Sequence, residues 1–436
     1  MSYAAFLESK RAAAPALGVE LDRGSVAGSL YEWQAEIVEW AARVGRAAIW
    51  ADTGLGKTRM QLEWARAVAG DGTALIVAPL AVCEQTVREA HAIGIDAAYV
   101  RDGEGLGAGV WVTNYEMVER FDASLLDAVV LDEASILKQS AGKTRTMLIE
   151  HFEQVPYRLA CTATPAPNDP EELTNQAEFL GVMSRVNMLA AYFVHDQDGW
   201  RPKGHARGPM FEWMASWALA IRRPSDLGYP DADYVLPGLE IESHLLPVEI
   251  EQEGQLFATD LGGVGGRSEV RRSTLVARCE TVAGLVAAES GEPWVLWCGL
   301  NDEADLLATL IPGAVNVKGS MSPEEKAREL LAFADGETRV LITKPSMAAF
   351  GLNWQHCARM AFVGLSDSYE AYYQAIRRCY RYGQQRVVEV HVVLSELEGQ
   401  IAQNIARKER EAQGITQELV AAMTAARTNH REGVAA

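Results

Sequence analysis

No two cysteines in this 436-residue chain have C-x-x-C spacing; the six present, Cys83, Cys161, Cys279, Cys298, Cys357 and Cys379, are scattered, most in apolar surroundings. That argues against thiolate metal ligation and for buried free thiols in a reducing compartment. Long apolar runs are lacking too. Residues 1–21 carry Lys10 and Arg11 without a continuous hydrophobic stretch, and no later segment is apolar enough to span a bilayer, so a cytoplasmic location is the default expectation. Basic charge is short: 40 Lys and Arg stand against 59 Asp and Glu, a formal net charge of −19. An acidic surface repels phosphate backbones, which argues against a simple nucleic-acid coat. Basic residues still gather at 201–207, 222–223, 267–272 and 377–386, so a confined basic track stays open beside the plainer reading of solvated faces. What the chain does have is apolar mass: 48% hydrophobic residues fill substantial cores in a length with room for two or three domains.

Short apolar runs at 47–50, 74–78, 109–113 and 128–131 alternate with amphipathic segments such as 59–68 and 84–92, the pattern of a parallel sheet covered on both faces. The rhythm returns with strand candidates at 293–298, 314–317, 339–343, 360–363 and 387–394 and helices near 302–310, 323–334 and 369–380. Two α/β units follow. Between them, over 181–247, the rhythm fails, and the stretch reads as a mostly helical connecting insertion with a helix near 209–222. Its tryptophans, Trp200, Trp213 and Trp217, stand among basic residues and either grip a nucleic-acid backbone or pack the insertion onto its neighbours. His195, Asp196, Asp198 and His205 have no helical ligand spacing and are not read as a metal site. A glycine-rich loop at 262–266 leads into a basic helix. The expected division is an N-terminal extension over 1–28, a first lobe over 29–180, the insertion over 181–247, a second lobe over 248–405 and a C-terminal helical tail over 406–436.

The chemistry concentrates in Ala51-Asp52-Thr53-Gly54-Leu55-Gly56-Lys57-Thr58, flanked by a strand and a helix. Gly54 and Gly56 let the backbone aim N–H groups at nucleotide phosphates, Lys57 reaches the terminal phosphates, and Thr58 offers its hydroxyl to Mg²⁺. Ala51 stands where the P-loop pattern asks for glycine. Asp132-Glu133 closes the apolar run 128–131, which delivers two acids to the carboxyl edge of a parallel sheet. Asp132 is then the partner of Thr58 in holding Mg²⁺, and Glu133 the base that orients and deprotonates the attacking water. Thr162-Ala163-Thr164-Pro165 places small hydroxyls where they can hydrogen-bond that acid pair. In the second half, Gln374 to Gln384 reads as helical, with Arg378 and Arg381 three apart on one face, placed to act as arginine fingers on the γ-phosphate.

In this order the segments resemble the superfamily two helicases and translocases, in particular their Swi/Snf-like branch. Leu30-Tyr31-Glu32-Trp33-Gln34 is similar to the adenine-reading glutamine segment, which implies that Gln34 contacts the cofactor together with Thr53, Gly54, Gly56, Lys57 and Thr58. Segment 51–58 resembles motif I, where alanine often replaces the first glycine, and Asp132-Glu133-Ala134-Ser135, with Lys138 beyond, resembles the acid box with serine for the usual histidine. Ala78-Pro79-Leu80 and Thr113-Asn114-Tyr115-Glu116 are similar to motifs Ia and Ib, implying strand contacts from Pro79, Thr113 and Asn114. Thr162 to Pro165 is similar to motif III, and Thr343-Lys344-Pro345 with Gly351-Leu352-Asn353 to motif V, implying roles for Thr343 and Lys344 on nucleic acid and Gly351 on nucleotide. Gln374 to Gln384 resembles the Swi/Snf form of motif VI. The 200–206 and 223–229 stretches look like those of helicases encoded by bacterial viruses, and Lys203 is there a candidate strand contact.

The resemblance implies tandem RecA-like P-loop lobes, ATP and Mg²⁺ as cofactors, Lys57, Asp132, Glu133, Arg378 and Arg381 as the hydrolytic set, and DNA, duplex in preference, as the partner. It further suggests action in phage replication, recombination or repair in a bacterial host cytoplasm, with phage or host replication and repair proteins as further partners and the oligomeric state open. An unwinding helicase, an RNA helicase and an ATP-gated binding module are the other readings.

Overall fold

The structure is a computed structural model that describes residues 13–21, 24, 26, 28–138, 142–197, 199–231, 234–247, 271–345, 347, 353–366 and 368–434. The glycine-rich loop 262–266, Asp198 and Gly351 lie outside the described residues. The chain divides into two units, residues 1–232 with 410–436, and residues 233–409.

The first unit is built on a parallel sheet. Its strands are β1 (Arg46–Ala51), β2 (Thr73–Ala78), β3 (Ala97–Tyr99), β4 (Gly109–Asn114), β5 (Ala128–Asp132), β6 (Tyr157–Cys161) and β9 (Ala218–Ile221), in the spatial order β3-β4-β2-β5-β6-β1-β9. Every pairing in it is parallel. Strands covered on both faces run apolar, as β2 does after Thr73 and β5 does before Asp132, and both are buried at every position. Helices α1 (Glu32–Val44), α2 (Lys57–Ala69) and α3 (Leu80–Ala92) belong to the same unit.

The second unit repeats the plan. Strands β10 (Leu239–Leu246), β11 (Trp294–Cys298), β12 (Val315–Asn316), β13 (Val340–Thr343), β14 (Arg359–Val363) and β15 (Val388–Ser395) form a second parallel sheet in the order β10-β15-β14-β11-β13-β12. A core of Val282, Trp294, Leu296, Leu307, Ile342 and Val363 packs between that sheet and the helices at Leu275–Ala288 and Asn301–Leu310. The architecture is therefore α/β, two tandem units each with a parallel sheet flanked by helices.

The stretch 181–247 is shared between the two units. It carries a strand toward each end: β9 extends the first sheet beside β1, β10 extends the second beside β15, and the units divide at 232/233. The remainder has helices at Arg185–Tyr192 and Arg207–Met214 with an antiparallel hairpin, β7 (Phe193–Asp196) paired with β8 (Gly199–Pro202), between them. The helix expected near 209–222 stops at Met214 because Ala218 to Ile221 is needed as a sheet strand. The last helix, Gly399–Val434, starts before the expected tail, and its portion from Arg410 belongs to the first unit, where Arg207 is 2.7 Å from Glu418.

A buried ion cluster fastens the second unit. Glu303 takes Arg278 at 2.8 Å and Arg271 at 3.0 Å, and accepts the Gly299 and Leu300 amides at 2.9 Å each. Burial alone would raise the Glu303 pKa, but Arg271 and Arg278 hold it below the usual range. Glu303→Gln leaves a buried, uncompensated Arg278 and is expected to cost about 3–5 kcal/mol, read as a lower urea midpoint for the second unit.

Candidate active site

Three neighbouring strands, β5, β6 and β1, deliver their carboxyl ends to one edge of the first sheet. β1 runs into the glycine loop, β5 ends on Asp132, and β6, lying between them, runs into Thr162. Ligands in open parallel sheets are met at such an edge because loops and helix N-termini converge there.

The loop turns because Gly54 and Gly56 take φ of 86° and 75°, values in the left-handed region that side chains resist. A Cβ on Gly56 would also come within 2.4 Å of Gln34 Nε2. Helix α2 starts at Lys57, so the Lys57 and Thr58 amides have no carbonyl one turn back within the helix, and this positive end of the helix dipole favours an anion. Lys57 Nζ donates to Ala51 O at 2.7 Å and to Asp52 O at 3.3 Å, bridging its own loop. Thr53 N donates to Asp52 Oδ1 at 2.6 Å. Gln34 is tied to the loop at both ends of its amide: Nε2 donates to Leu55 O at 2.9 Å, and Oε1 accepts from Tyr31 N at 3.0 Å. Thr58, the second residue of α2, is half-buried.

Asp132 is buried, and burial raises its pKa against the opposing pull of the Gln61 amide and the Lys57 charge. Gln61 Nε2 donates to Asp132 Oδ1 at 2.7 Å, and the Tyr115 hydroxyl donates to the Asp132 main-chain oxygen. Glu133 has φ 56°, the only positive φ on a residue other than glycine among the described residues. A glutamate held there costs on the order of 1–3 kcal/mol, strain of the kind that clusters at functional sites. The Thr162 hydroxyl donates to Glu133 Oε2 at 3.3 Å and accepts Thr164 N at 3.1 Å. Gln176 links this region to the P-loop strand: it accepts Trp50 Nε1 at 2.8 Å and donates to Pro165 O at 2.9 Å.

A carboxylate pair, a loop lysine and a helix-start hydroxyl thus share one sheet edge. This donor set fits Mg²⁺ and nucleotide phosphates: Asp132 and Thr58 supply hard oxygen ligands, and the left-handed glycines open the backbone that a phosphate needs.

The second-unit segment departs from its expectation. The helix ends at Ile376, and Arg378 and Arg381 lie in the turns beyond it. The Arg378 carbonyl accepts Trp354 N at 2.9 Å, a tertiary bond that takes the acceptor a continuing helix would have used. Gln384 locks the turn from inside, donating to Cys357 O at 3.0 Å and Cys379 O at 3.3 Å and accepting the Gln385 and Arg386 amides at 3.0 Å each. Arg377 is engaged by Tyr373 and Tyr380, whose ring centroids lie 5.1 and 5.2 Å from its guanidinium carbon. Arg381 donates to Asn353 Oδ1, and burial together with the Arg377 charge pushes its pKa down to about 10, leaving it a cation at neutral pH.

The candidate strand contacts are mostly engaged within the fold. Thr113 is buried and donates to Val100 O at 2.8 Å; Asn114, also buried, accepts the Tyr99 hydroxyl at 2.7 Å and donates to Glu116. Lys203 donates to Ala190 O at 2.7 Å and Ala191 O at 3.2 Å, capping a helix C-terminus. Thr343 is buried against Met347 Sδ at 3.6 Å. Pro79 is the half-buried N-cap of α3, and Lys344 is half-buried just beyond β13. Of the insertion's tryptophans, Trp213 and Trp217 are buried and pack edge to face with centroids 5.4 Å apart, and Trp217 meets Trp50 of β1 at 5.8 Å. All six cysteines are free and buried, and burial raises the Cys83 thiol to about 12. Among the described residues no helix is long and apolar enough to cross a membrane.

The sequence does not single out Gln61 or Gln176, and it offers Tyr115 only as part of the 113–116 segment, with no role beside the acid pair. Gln61 carried a signal, four residues beyond Lys57 on the same helix face; the others act through contacts between distant segments.

Residues 278–383 match the model of the helicase conserved C-terminal domain, a stretch lying wholly within the second unit. No curated protein matches the chain. Among solved structures, the chain is similar to the Sulfolobus solfataricus SWI2/SNF2 ATPase core in complex with dsDNA, at 18% identity and a TM-score of 0.44, over 92% of this chain and 96% of that one.

Proposed function

We propose that this protein is a nucleic-acid-dependent ATPase that couples Mg-ATP hydrolysis to movement along duplex DNA. The observation that carries the reading is the first-unit edge where Lys57, buried Asp132 and left-handed Glu133 stand together, in a chain whose second unit contains the stretch matching the helicase C-terminal domain. Lys57, the loop amides and Thr58 bind the phosphates, Asp132 and Thr58 hold Mg²⁺, and Glu133 takes the proton of the attacking water. The ion that Asp132 and Thr58 would hold there would supply neutralisation of charge on the transferred phosphate. Thr162, hydrogen-bonded to Glu133 and one strand away from the P-loop, links the state of the site to the segment 162–165. Arg378 and Arg381 stabilise charge on the same phosphate, and alternation between two grips on the strand gives movement. The duplex preference rests on the form of the 374–384 segment, and a role in phage replication, recombination or repair on the 200–206 and 223–229 stretches.

Two expected outcomes test this. Lys57→Ala abolishes productive ATP binding, measured by fluorescence of a nucleotide analogue. Displacement of a triplex-forming strand with the underlying duplex left intact marks a translocase; separation of the duplex itself marks an unwinding helicase and overturns the stated mode of movement.

A further inference from the structure

Glu242 and His244 stand two residues apart on β10, so their side chains project from the same face of the second sheet. β10 is the edge strand, and β15 runs beside it in a register that sets His391 directly opposite Glu242. Three groups of ligating chemistry therefore converge. His244 Nε2 is 3.1 Å from His391 Nδ1, His391 Nδ1 is 3.6 Å from Glu242 Oε2, and His244 Nε2 is 3.9 Å from Glu242 Oε1.

A hydrogen bond between two neutral imidazoles accounts for the shortest of these separations but not for a carboxylate facing both rings. We propose that Glu242, His244 and His391 bind one divalent transition-metal ion, with Zn²⁺ the best match and solvent completing its shell. Donors held 2.0–2.2 Å from a tetrahedral zinc stand about 3.3–3.6 Å apart, and the observed separations of 3.1 to 3.9 Å bracket that range. Two imidazoles with one carboxylate select zinc, copper or nickel over magnesium and calcium, which prefer all-oxygen shells.

The surroundings suit a cation. His391 is buried and stacks on Trp294 at 5.7 Å with an interplanar angle of 25°, which fixes the ring without recruiting the ion to do so. Glu289 and Glu389, which act on His391 electrostatically, are each paired with Arg359, at 2.6 and 3.0 Å, so Glu242 is the carboxylate that faces the ion. The Glu242 side chain is 68% exposed and gives an entry path. The six thiols are buried and do not compete in the folded chain. Bridging β10 to β15, the ion ties the terminal strand of the sheet to its neighbour.

The test uses the full-length, tag-free, chelator-treated protein without nucleotide, titrated with Co²⁺ by visible absorption and with Zn²⁺ by calorimetry. Saturation at one equivalent, Zn²⁺ displacing Co²⁺ while Mg²⁺ does not, is expected. His244→Ala and Glu242→Ala should each weaken binding by at least about tenfold, the lower end of what disturbing a metal site costs. These two positions are chosen because His391 is packed inside, and unchanged urea unfolding of the metal-free variants shows that the fold survives. Absence of saturable binding, or binding that both substitutions leave unchanged, overturns the site and leaves a hydrogen-bonded histidine pair.

Discussion

Glu133→Gln is expected to bind ATP as the parent does and to hydrolyse it about 10²–10⁴-fold more slowly, the range lost with a positioned general base. The substitution keeps shape, length and a side-chain oxygen that can still accept from Thr162, so the local network survives while the proton acceptor is gone. Backbone strain is unchanged as well, because glutamine at φ 56° resists the left-handed region as glutamate does. Glu133→Gly separates the two costs: it relieves strain and should raise stability by about 1 kcal/mol while turnover falls as far as in the glutamine variant. A Glu133→Gln protein with parental single-turnover hydrolysis would remove this residue from the role of base.

Arg381→Ala is the second large effect, a loss of about a thousandfold in turnover with ATP affinity little changed, the magnitude associated with an arginine finger. Its guanidinium is set on Asn353 and stays charged at neutral pH despite the pKa lowered to about 10, so the residue brings a fixed cation. Arg381→Lys should recover only part of the rate, since an ammonium keeps the charge but not the planar fork. Arg377→Ala is the control: that arginine is engaged by Tyr373 and Tyr380, and its loss should lower thermal stability with a smaller change in turnover. Equal loss in both alanine variants would mean that the segment acts only as scaffold.

The parallel sheets were legible because strands buried on both faces have to be continuously apolar; 74–78 and 128–131 fall within one residue of β2 and β5, and 360–363 within one residue of β14. β9 and β10 were not. β9 is only Ala-Leu-Ala-Ile, and β10, Leu-Glu-Ile-Glu-Ser-His-Leu-Leu, is an edge strand whose alternating polarity lacks the signature of a covered strand. Their sheet partners, β1 and β15, lie more than a hundred residues away in sequence, and that pairing, not local propensity, makes them strands. The helix end at Ile376 was hidden for a similar reason, since the Trp354 amide that claims the Arg378 carbonyl comes from another segment. In the site, the loop and acids could be read because glycine, lysine and carboxylate have few other reasons to occur in that order at strand ends. Gln61, Tyr115 and Gln176 could not, since an amide or phenol says nothing until its partner is in place.

The central claim, hydrolysis coupled to duplex DNA, is tested most directly by steady-state ATPase rates of the full chain with duplex DNA, single-stranded DNA, RNA and no nucleic acid, alongside Glu133→Gln as the baseline. The account predicts that duplex DNA raises the rate most and that the Glu133→Gln rate stays flat under every condition. Stimulation by RNA alone, or a rate that no nucleic acid changes, would contradict it.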